Sequence, residues 1–319
     1  MADQVLLVDV RERGVVVALT GLGERPGTGV TMECETEEEL ISALQQIIAD
    51  AGNPVLAGAV FGAPGPCLDG VIQLTHANMR LDRERLGAAL RAGRVVLVND
   101  FQALALAMPL VLDSDLERIG GSPARGDASA AALGPGAGLG VSILNPDGFV
   151  GWTASAGEGG HVALAATSER EAAIIGVLRD WHGHVSAERV LSEVGLENIA
   201  KALRHLEGLD DGSCDRNELI RLATAGDRLA VEVFELFSGW LGAVAGDLAL
   251  TAGARSGVYI FSPLVVSLGS LFDRSLCRAR FEAKGPMSGY LREIGLYLVT
   301  AQNCGLLGLS TVLEQKALR

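Results

Sequence analysis

The sequence predicts an α/β fold in two domains. Short apolar runs typical of buried strands alternate along the chain with longer segments of helical periodicity, and clusters of Gly, Pro and Asp separate them. The length of 319 residues fits about two domains. With 49% hydrophobic and 20% charged residues, the chain can form a sizeable core, which excludes a disordered or fibrous protein.

The first hundred residues predict strands and helices in turn. Two apolar runs, Val5–Val8 and Val15–Leu19, flank a short polar turn and predict a β-hairpin. Thr36 precedes three glutamates and an apolar-periodic stretch, which predicts a helix with Thr36 as its N-cap. The next elements expected are a strand at Val55–Phe61 that stops at Gly62, a helix at Asp82–Ala92, a strand at Arg94–Val98 and a helix at Gln102–Met108.

The second part of the chain follows a segment rich in small and turn residues, which indicates a domain junction near 110–127. Strands at Ala130–Leu133 and Val141–Leu144 are expected to flank a glycine loop at 134–140. Further helices are predicted at Glu169–Trp181, Gly195–Leu206, Asn217–Ala225, Arg228–Leu250 and Gly305–Leu318, with a strand at Gly257–Phe261. The most apolar stretch, Val258–Phe272, is shorter than the roughly 20 residues of a membrane helix.

Charge and cysteine content argue against several classes of partner. The net charge is −13 and no run of Lys or Arg stands out, so neither nucleic acid nor a membrane surface is expected to bind. The first residues show no basic segment of a signal peptide. Five scattered cysteines without a CxxC pair predict reduced thiols, mostly packed inside, in a cytoplasmic protein.

The pair Asn99-Asp100 lies where a predicted strand ends and a helix begins. In open α/β sheets, ligands bind at that edge. The Asp100 carboxylate could accept a proton from a substrate hydroxyl there, beside the amide of Asn99. The alternative is that Asp100 only caps the following helix, and the residues alone favour the cap.

The segment 157–161, Gly-Glu-Gly-Gly-His, is poorly suited to either a helix or a strand. Its glycines allow the backbone to approach a ligand closely while Glu158 and His161 point at it. An ordinary tight turn with two solvated side chains explains the same residues equally well.

Three weaker features complete the set of candidates. Glu188 follows Ser186 and is first interpreted as a glutamate that complements a helix dipole behind an N-cap serine. His182 and His184 have a spacing that could serve a metal on a strand, but no Cys or carboxylate completes the set, and no metal site is predicted. The loop at 134–140 contains G-x-G-x-G, which could hold an anion through its backbone N–H groups.

Three segments in order resemble the bacterial glucokinase family, namely Val98–Phe101, Gly157–Val162 and Gly183–Ser192. The resemblance extends over nearly the whole chain, from Leu7 to Gly308. It implies an actin/hexokinase-like (ribonuclease H-like) fold of two domains with the ligand cleft between them. A small domain would comprise 1–110 and the C-terminal helix at 301–319, and a large domain would comprise 111–300.

The resemblance also implies a hexose site, with glucose as the expected sugar. Asp100 would be the general base that takes the proton from the sugar 6-hydroxyl. The substrate-binding residues would be Asn99, Gly138, Glu158, His161 and Glu188. In the family the phosphoryl donor is ATP with Mg²⁺, and a homodimer in the cytoplasm is expected.

The nucleotide side departs from the family pattern. Members of the family carry D-x-G-G-T-N where this chain has Asp9-Val10-Arg11-Glu12-Arg13-Gly14, so long charged side chains replace both glycines and the threonine. Ala137 stands where the second phosphate loop has a threonine, and Phe261-Ser262-Pro263 replaces a turn of small residues. The cofactor-binding residues that remain are Asp9, Gly136 and Gly138.

Three interpretations of the function therefore follow from the sequence. The first is a hexose-binding protein whose ATP-dependent 6-phosphorylation is weak or lost, and which then needs no cofactor. The alternative is an active glucokinase in which Asp100 is the base and Arg11 or Arg13 supplies new phosphate contacts. A purely structural partner of a true kinase is the third interpretation.

Overall fold

The computed structural model describes residues 4–11, 14–75, 79–148, 151–209, 212 and 214–317, with side chains as far as residue 313. The strands are β1 Gln4–Val10, β2 Val15–Gly21, β3 Val30–Met32, β4 Leu56–Ala63, β5 Cys67–Leu68, β6 Val71–Gln73, β7 Arg80–Asp82, β8 Val95–Asn99, β9 Leu116–Gly120, β10 Ala130–Pro135, β11 Leu139–Pro146, β12 Trp152–Gly157, β13 Val258–Ile260 and β14 Leu296–Val299. The helices are α1 Glu37–Asp50, α2 Arg83–Leu90, α3 Asp100–Ala107, α4 Glu169–His182, α5 Glu193–Leu206, α6 Arg216–Thr224, α7 Arg228–Ala252, α8 Pro263–Leu268, α9 Arg274–Glu282, α10 Ser288–Arg292 and α11 Cys304–Ala317. The predicted α/β class is confirmed.

The chain divides into two compact units. Unit 1 comprises Met1–Asp115, Ser142–Ala156 and Ala301–Arg319, and unit 2 comprises Leu116–Val141 and Gly157–Thr300. Unit 1 thus consists of three separate stretches of sequence, one of which is the C-terminal segment. The domain limits given from the sequence stay a prediction.

Unit 1 contains a five-stranded sheet in the order β3-β2-β1-β4-β8. The predicted hairpin is confirmed, because β1 and β2 are antiparallel with Gln4 opposite Gly21 and Val10 opposite Val15. Strands β1, β4 and β8 are parallel, and their register brings Asp9 and Asn99 to the same edge of the sheet. β4 does not stop at Gly62 as expected, because Gly62 pairs with Asp9 and Val98 and Ala63 pairs with Asn99.

Helix α11 packs against α3 and against strands β1 and β4. Gly308 makes this approach possible, because a Cβ at that position would overlap the carbonyl oxygen of Ala103. Leu306 and Leu309 on α11 are almost fully buried. Helix α11 is therefore a core element of unit 1.

Unit 2 is built around α7. Phe237 and Trp240 on this helix are fully buried in a core that also includes side chains of α5, α9 and the strands β10, β13 and β14. Within the described residues α7 is the one helix long and apolar enough to cross a membrane, but 67% of its apolar window is buried inside the protein. Burial of α7 in this core explains its apolar composition, which was not recognised from the sequence.

A six-stranded sheet has the order β12-β11-β10-β13-β14-β9, and a separate small sheet has the order β5-β6-β7. Elements not expected from the sequence are the small sheet, strands β3, β9, β12 and β14, and helices α8 to α10. Strands β5, β6 and β7 are two or three residues long. Such short segments carry no readable periodicity, and their pairing is decided by their neighbours.

The cysteines are not mostly buried, contrary to the sequence-based expectation. Cys277 and Cys304 are buried, Cys34 and Cys214 are half-buried, and Cys67 is exposed. Burial raises the pKa of the Cys277 thiol to about 12 and that of the Cys304 thiol to about 11. The thiolate is the reactive form of cysteine. Burial therefore makes these two thiols unreactive in two ways, because it excludes reagents and keeps the thiol protonated.

We expect one fast-reacting thiol, Cys67, when the folded protein is treated with Ellman's reagent at pH 8. Cys277 and Cys304 should react only after unfolding, because each is inaccessible and protonated at that pH. The Cys67→Ser variant is the control and should lack the fast phase. Persistence of that phase in the variant would contradict the assignment.

Candidate functional site

Asn99 ends strand β8 and caps helix α3. Its side-chain oxygen accepts hydrogen bonds from the backbone N–H groups of Phe101, at 2.9 Å, and Gln102, at 3.2 Å. Its side-chain nitrogen donates to the carbonyl oxygen of Gly65 at 3.2 Å. The expectation that Asp100 is the cap is therefore wrong: Asn99 has the extended backbone of an N-cap residue, and Asp100 is already the first helical residue.

Asp100 lies at the N-terminus of α3 and is half-buried. One oxygen of its carboxylate accepts a hydrogen bond from the N–H of Phe101 at 2.8 Å. The helix N-terminus stabilises a negative charge at this position. Next to it, the Gln102 amide donates to the carbonyl oxygen of Ala154 at 2.9 Å, which fixes the first turn of α3 to strand β12. The structure thus holds a carboxylate at the edge of the sheet in unit 1, where a proton acceptor was predicted.

Glu158, His161 and Glu188 lie together in unit 2, and we call them the His161 cluster. The His161 ring lies between the two carboxylates, with Nε2 4.0 Å from Glu158 Oε2 and Nδ1 3.8 Å from Glu188 Oε1. Just over half of the His161 and Glu158 side chains is exposed, against 22% of Glu188. Acceptors and a ring that can donate thus converge at the protein surface.

Glu188 connects the His161 cluster to the glycine loop. Its second carboxylate oxygen accepts a hydrogen bond from the N–H of Leu139 at 2.8 Å. The glycine loop is shorter than expected, because β10 extends to Pro135 and β11 begins at Leu139. Within the loop, the N–H of Gly136 donates to the carbonyl of Gly138 at 2.8 Å. The helix predicted around Glu188 is a single 3-10 turn capped by Ser186. Glu188 therefore fixes Leu139, the residue that follows the glycine loop.

Gly159 and Gly160, directly before His161, allow the backbone of this turn to pack closely against its neighbours. A Cβ on Gly160 would overlap the carbonyl oxygen of Leu139, and a Cβ on Gly159 would lie 3.1 Å from the Cβ of Val141. Gly157 has open space at the same position. The turn that carries His161 is thus pressed onto the start of β11.

Asp9, at the end of β1, is 5% exposed and paired with Arg11. Arg11 Nε and Nη2 lie 2.8 and 2.7 Å from the same carboxylate oxygen, and Nη2 also donates to Asn303 Oδ1 at 3.0 Å. Burial raises the pKa of Asp9, and the guanidinium of Arg11 opposes this effect. Glu12 and Arg13, which were expected to disturb the same loop, lie outside the described residues.

Asn303 is a residue of this site that sequence reasoning missed. Its amide nitrogen donates to the carbonyl of Thr28 at 2.6 Å, while its oxygen accepts from Arg11. It adopts a left-handed backbone, with φ of 57°, just before α11 begins. Asparagine tolerates this conformation, but its partners lie more than 270 residues away, so no local signal could reveal them.

Ser262 lies in the turn at 261–263, where the family pattern has small residues, and it caps the short helix α8. Its Oγ accepts from the N–H of Val265 at 3.0 Å and donates to the carbonyl of Pro135 at 2.5 Å. Ser262 is 2% exposed. The Ser262-Pro263 pair therefore starts a helix and fixes the end of β10.

No group of three or more His, Cys, Asp or Glu side chains suited to a metal ion occurs among the described residues. His184 instead lies with its Nε2 3.0 Å from the carbonyl oxygen of His161. His184 thus has a structural contact with the turn that carries His161.

A glucokinase family model matches residues 15–316. The chain belongs to the glucokinase family. A "Glucokinase-like protein" of Caulobacter vibrioides is 41% identical over 96% of both chains, and a "Glucokinase" of Chromobacterium violaceum is 40% identical over 85% of this chain and 78% of that protein. The crystal structure of glucokinase from an Antarctic psychrotroph is 27% identical, covers 99% of this chain and 100% of its own, and superposes with a TM-score of 0.88.

Membership of the glucokinase family fits the actin/hexokinase-like fold expected from the resemblance. A glucokinase from Streptomyces griseus, solved with glucose and AMPPNP, is only 17% identical with a TM-score of 0.62, and supports the fold alone. The stretch matched by the family model begins at residue 15, after the loop at 9–14 that departs from the pattern.

Proposed function

We propose that this member of the glucokinase family binds a hexose, first of all glucose, and that its ATP-dependent 6-phosphorylation is weak or lost. One observation carries the second half of this proposal. The Asp9 carboxylate is buried and bound by Arg11 through two nitrogen atoms. A guanidinium thus fills the place at which the family pattern has a glycine beside the phosphates.

The sugar half of the proposal is supported by side chains that suit a polyol. Hydroxyl groups need convergent donors and acceptors, which an apolar pocket cannot supply. The proposed contacts are Asn99, Gly138, Glu158, His161 and Glu188, with Asp100 facing the 6-hydroxyl. In unit 2 the His161 cluster and the glycine loop are tied together by the hydrogen bond from Leu139 to Glu188.

The expected loss of phosphoryl transfer is large. Phosphoryl transfer depends almost entirely on positioning and on stabilisation of charge. Loss of one donor to such a charge costs about 2–4 kcal/mol of transition-state stabilisation. The loops at 9–14 and 134–140 and the turn at 261–263 all depart from the pattern, which together corresponds to several decades of rate.

Glucose is expected to bind the natural chain, and the Glu158→Ala variant is expected to bind it at least about 10-fold more weakly. A hydrogen bond to a charged group is worth about 1.5 kcal/mol or more, which corresponds to that factor. Isothermal titration calorimetry measures both. The Glu169→Ala variant, which removes an exposed glutamate at the start of α4, should bind as the natural chain does. Absence of binding to any common hexose at millimolar concentration would contradict the proposal.

An active glucokinase is the second candidate, and the names of the relatives favour it. Proteins about 40% identical to this chain from Chromobacterium violaceum and Aromatoleum aromaticum are both called glucokinase. In this case ATP and Mg²⁺ are the cosubstrate and cofactor, and Asp100 is the general base. A coupled assay for glucose 6-phosphate decides: a rate that depends on ATP and disappears in Asp100→Asn establishes the active enzyme.

The remaining parts of the proposal concern assembly and location. We propose a homodimer in the cytoplasm without a nucleic acid or membrane partner. The five free cysteines and the net charge of −13 support a reducing compartment and argue against a polyanionic partner. Light scattering coupled to size exclusion tests the dimer, with a mass near 33 kDa as the contradicting result.

A further inference from the structure

The Asp9 carboxylate is enclosed on several sides within unit 1. Arg11 binds one of its oxygens, and the first turn of α11 lies directly against it. Gly305 makes that contact possible, because a Cβ there would overlap the carboxylate. The negative charge is therefore balanced by a guanidinium and by the N-terminal end of a 14-residue helix.

The arrangement around Asp9 does not meet the coordination requirements of a divalent cation. Mg²⁺ requires near-octahedral oxygen ligands at about 2.0–2.1 Å and keeps several waters, so it needs both free carboxylate oxygen and room beside it. The first turn of α11 lies against both carboxylate oxygens of Asp9. Of the side-chain oxygens at this place, Asp9 Oδ2 and Asn303 Oδ1 could serve as ligands. Both accept hydrogen bonds from the same guanidinium. A cation at this position would also meet the positive charge of Arg11 at close range.

We propose that Arg11 is a built-in counter-ion that takes the place of a divalent cation at Asp9, and that its replacement opens a cation site there. Neither sugar nor nucleotide takes part in this competition between Arg11 and a cation for Asp9. The inference thus goes beyond the proposed function, and glucose binding can succeed or fail without affecting it. It rests on the hydrogen bonds of Arg11 and on the contact between Gly305 and Asp9.

Mn²⁺ is a suitable probe, because its free ions are counted directly by electron paramagnetic resonance. Titrated at pH 8 without nucleotide, the natural chain should bind only weakly, through scattered surface carboxylates. Arg11→Gln should gain one Mn²⁺ site per chain, at least about 10-fold tighter than that background. Asp9→Asn added to this variant should remove the new site, and Arg11→Lys should not show it because the positive charge is kept.

Arg80→Gln is the matched control, since it breaks an exposed ion pair with Asp82 elsewhere in unit 1 and should gain no Mn²⁺ site. A site in the natural chain that Asp9→Asn abolishes would overturn the proposal. So would a folded Arg11→Gln variant that binds no more Mn²⁺ than the natural chain, or an Arg11→Lys variant that gains the site. Should Arg11→Gln fail to fold, Arg11→Gly is measured in its place, and the natural chain against Asp9→Asn still decides whether Asp9 binds the ion.

Discussion

A variant with the substitutions Arg11→Gly, Glu12→Gly, Arg13→Thr and Ala137→Thr is expected to phosphorylate glucose at least about 100-fold faster than the natural chain. Glycines allow backbone N–H groups to approach the phosphates again, and the two threonine hydroxyls add donors. Two regained donors that each stabilise the transition state by about 2 kcal/mol would more than account for a 100-fold increase in rate. The coupled assay for glucose 6-phosphate with Mg²⁺ and ATP measures the rate.

Gly14 and the turn Phe261-Ser262-Pro263, which also differ from the family pattern, are left unchanged in this variant. Gly14 has φ of +89°, and a Cβ there would lie 2.8 Å from the carbonyl oxygen of Met32, so an asparagine would be strained. Ser262 caps α8 and binds the carbonyl of Pro135, so a glycine there would lose both hydrogen bonds. Keeping both residues separates the repair of the phosphate loops from damage to the fold.

Asp100→Asn in the same background is the control and should abolish the gain, since the proton acceptor is then missing. Full recovery is not required, because residues that act as a unit contribute non-additively. A repaired variant that folds and binds glucose and ATP, yet is no faster than the natural chain, would contradict the proposal that the altered phosphate loops limit phosphoryl transfer.

The second large effect is expected from Gly160→Ala, which should lower glucose affinity at least about 10-fold. The added methyl group would overlap the Leu139 carbonyl, so the turn with His161 or the start of β11 must shift. Leu139 is also the residue whose N–H binds Glu188, so the shift reaches that carboxylate. Overpacking of this kind destabilises a protein by about 1–3 kcal/mol. Calorimetry measures the affinity, and thermal unfolding measures the stability.

Gly157→Ala is the matched control in the same loop. Its Cβ meets nothing within 4 Å, so the variant should bind glucose as the natural chain does and unfold at the same temperature. Equal glucose affinity in Gly160→Ala and Gly157→Ala would mean that the packing of the turn onto β11 does not position the His161 cluster.

Elements with a local signal could be predicted from the sequence. Thr36 accepts a hydrogen bond from the N–H of Glu39 at the start of α1, and Asp82 caps α2 within one residue of the expected start. These caps act over three residues, so the sequence around them contains the whole interaction. The hairpin of β1 and β2 was likewise predictable, because its strands are joined by a short turn.

Features of the site that depend on distant contacts could not be predicted. The bond from Leu139 to Glu188 joins residues 49 positions apart, and the bond from Arg11 to Asn303 joins residues 292 positions apart. Asn99 caps α3 although Asp100 could cap it as well, because the choice depends on where β8 ends. The residue types were recognisable, but their partners were not.

The discontinuous make-up of unit 1 has a consequence for synthesis on the ribosome. Helix α11 is translated after unit 2, yet it covers α3 and β1, which are translated before unit 2. At the usual 5–20 residues per second, the growing chain spends roughly 10–40 s on the second unit with that apolar surface uncovered. Translation of unit 1 thus begins before that of unit 2 and ends after it, and the uncovered surface of unit 1 is where chaperones would be needed during translation.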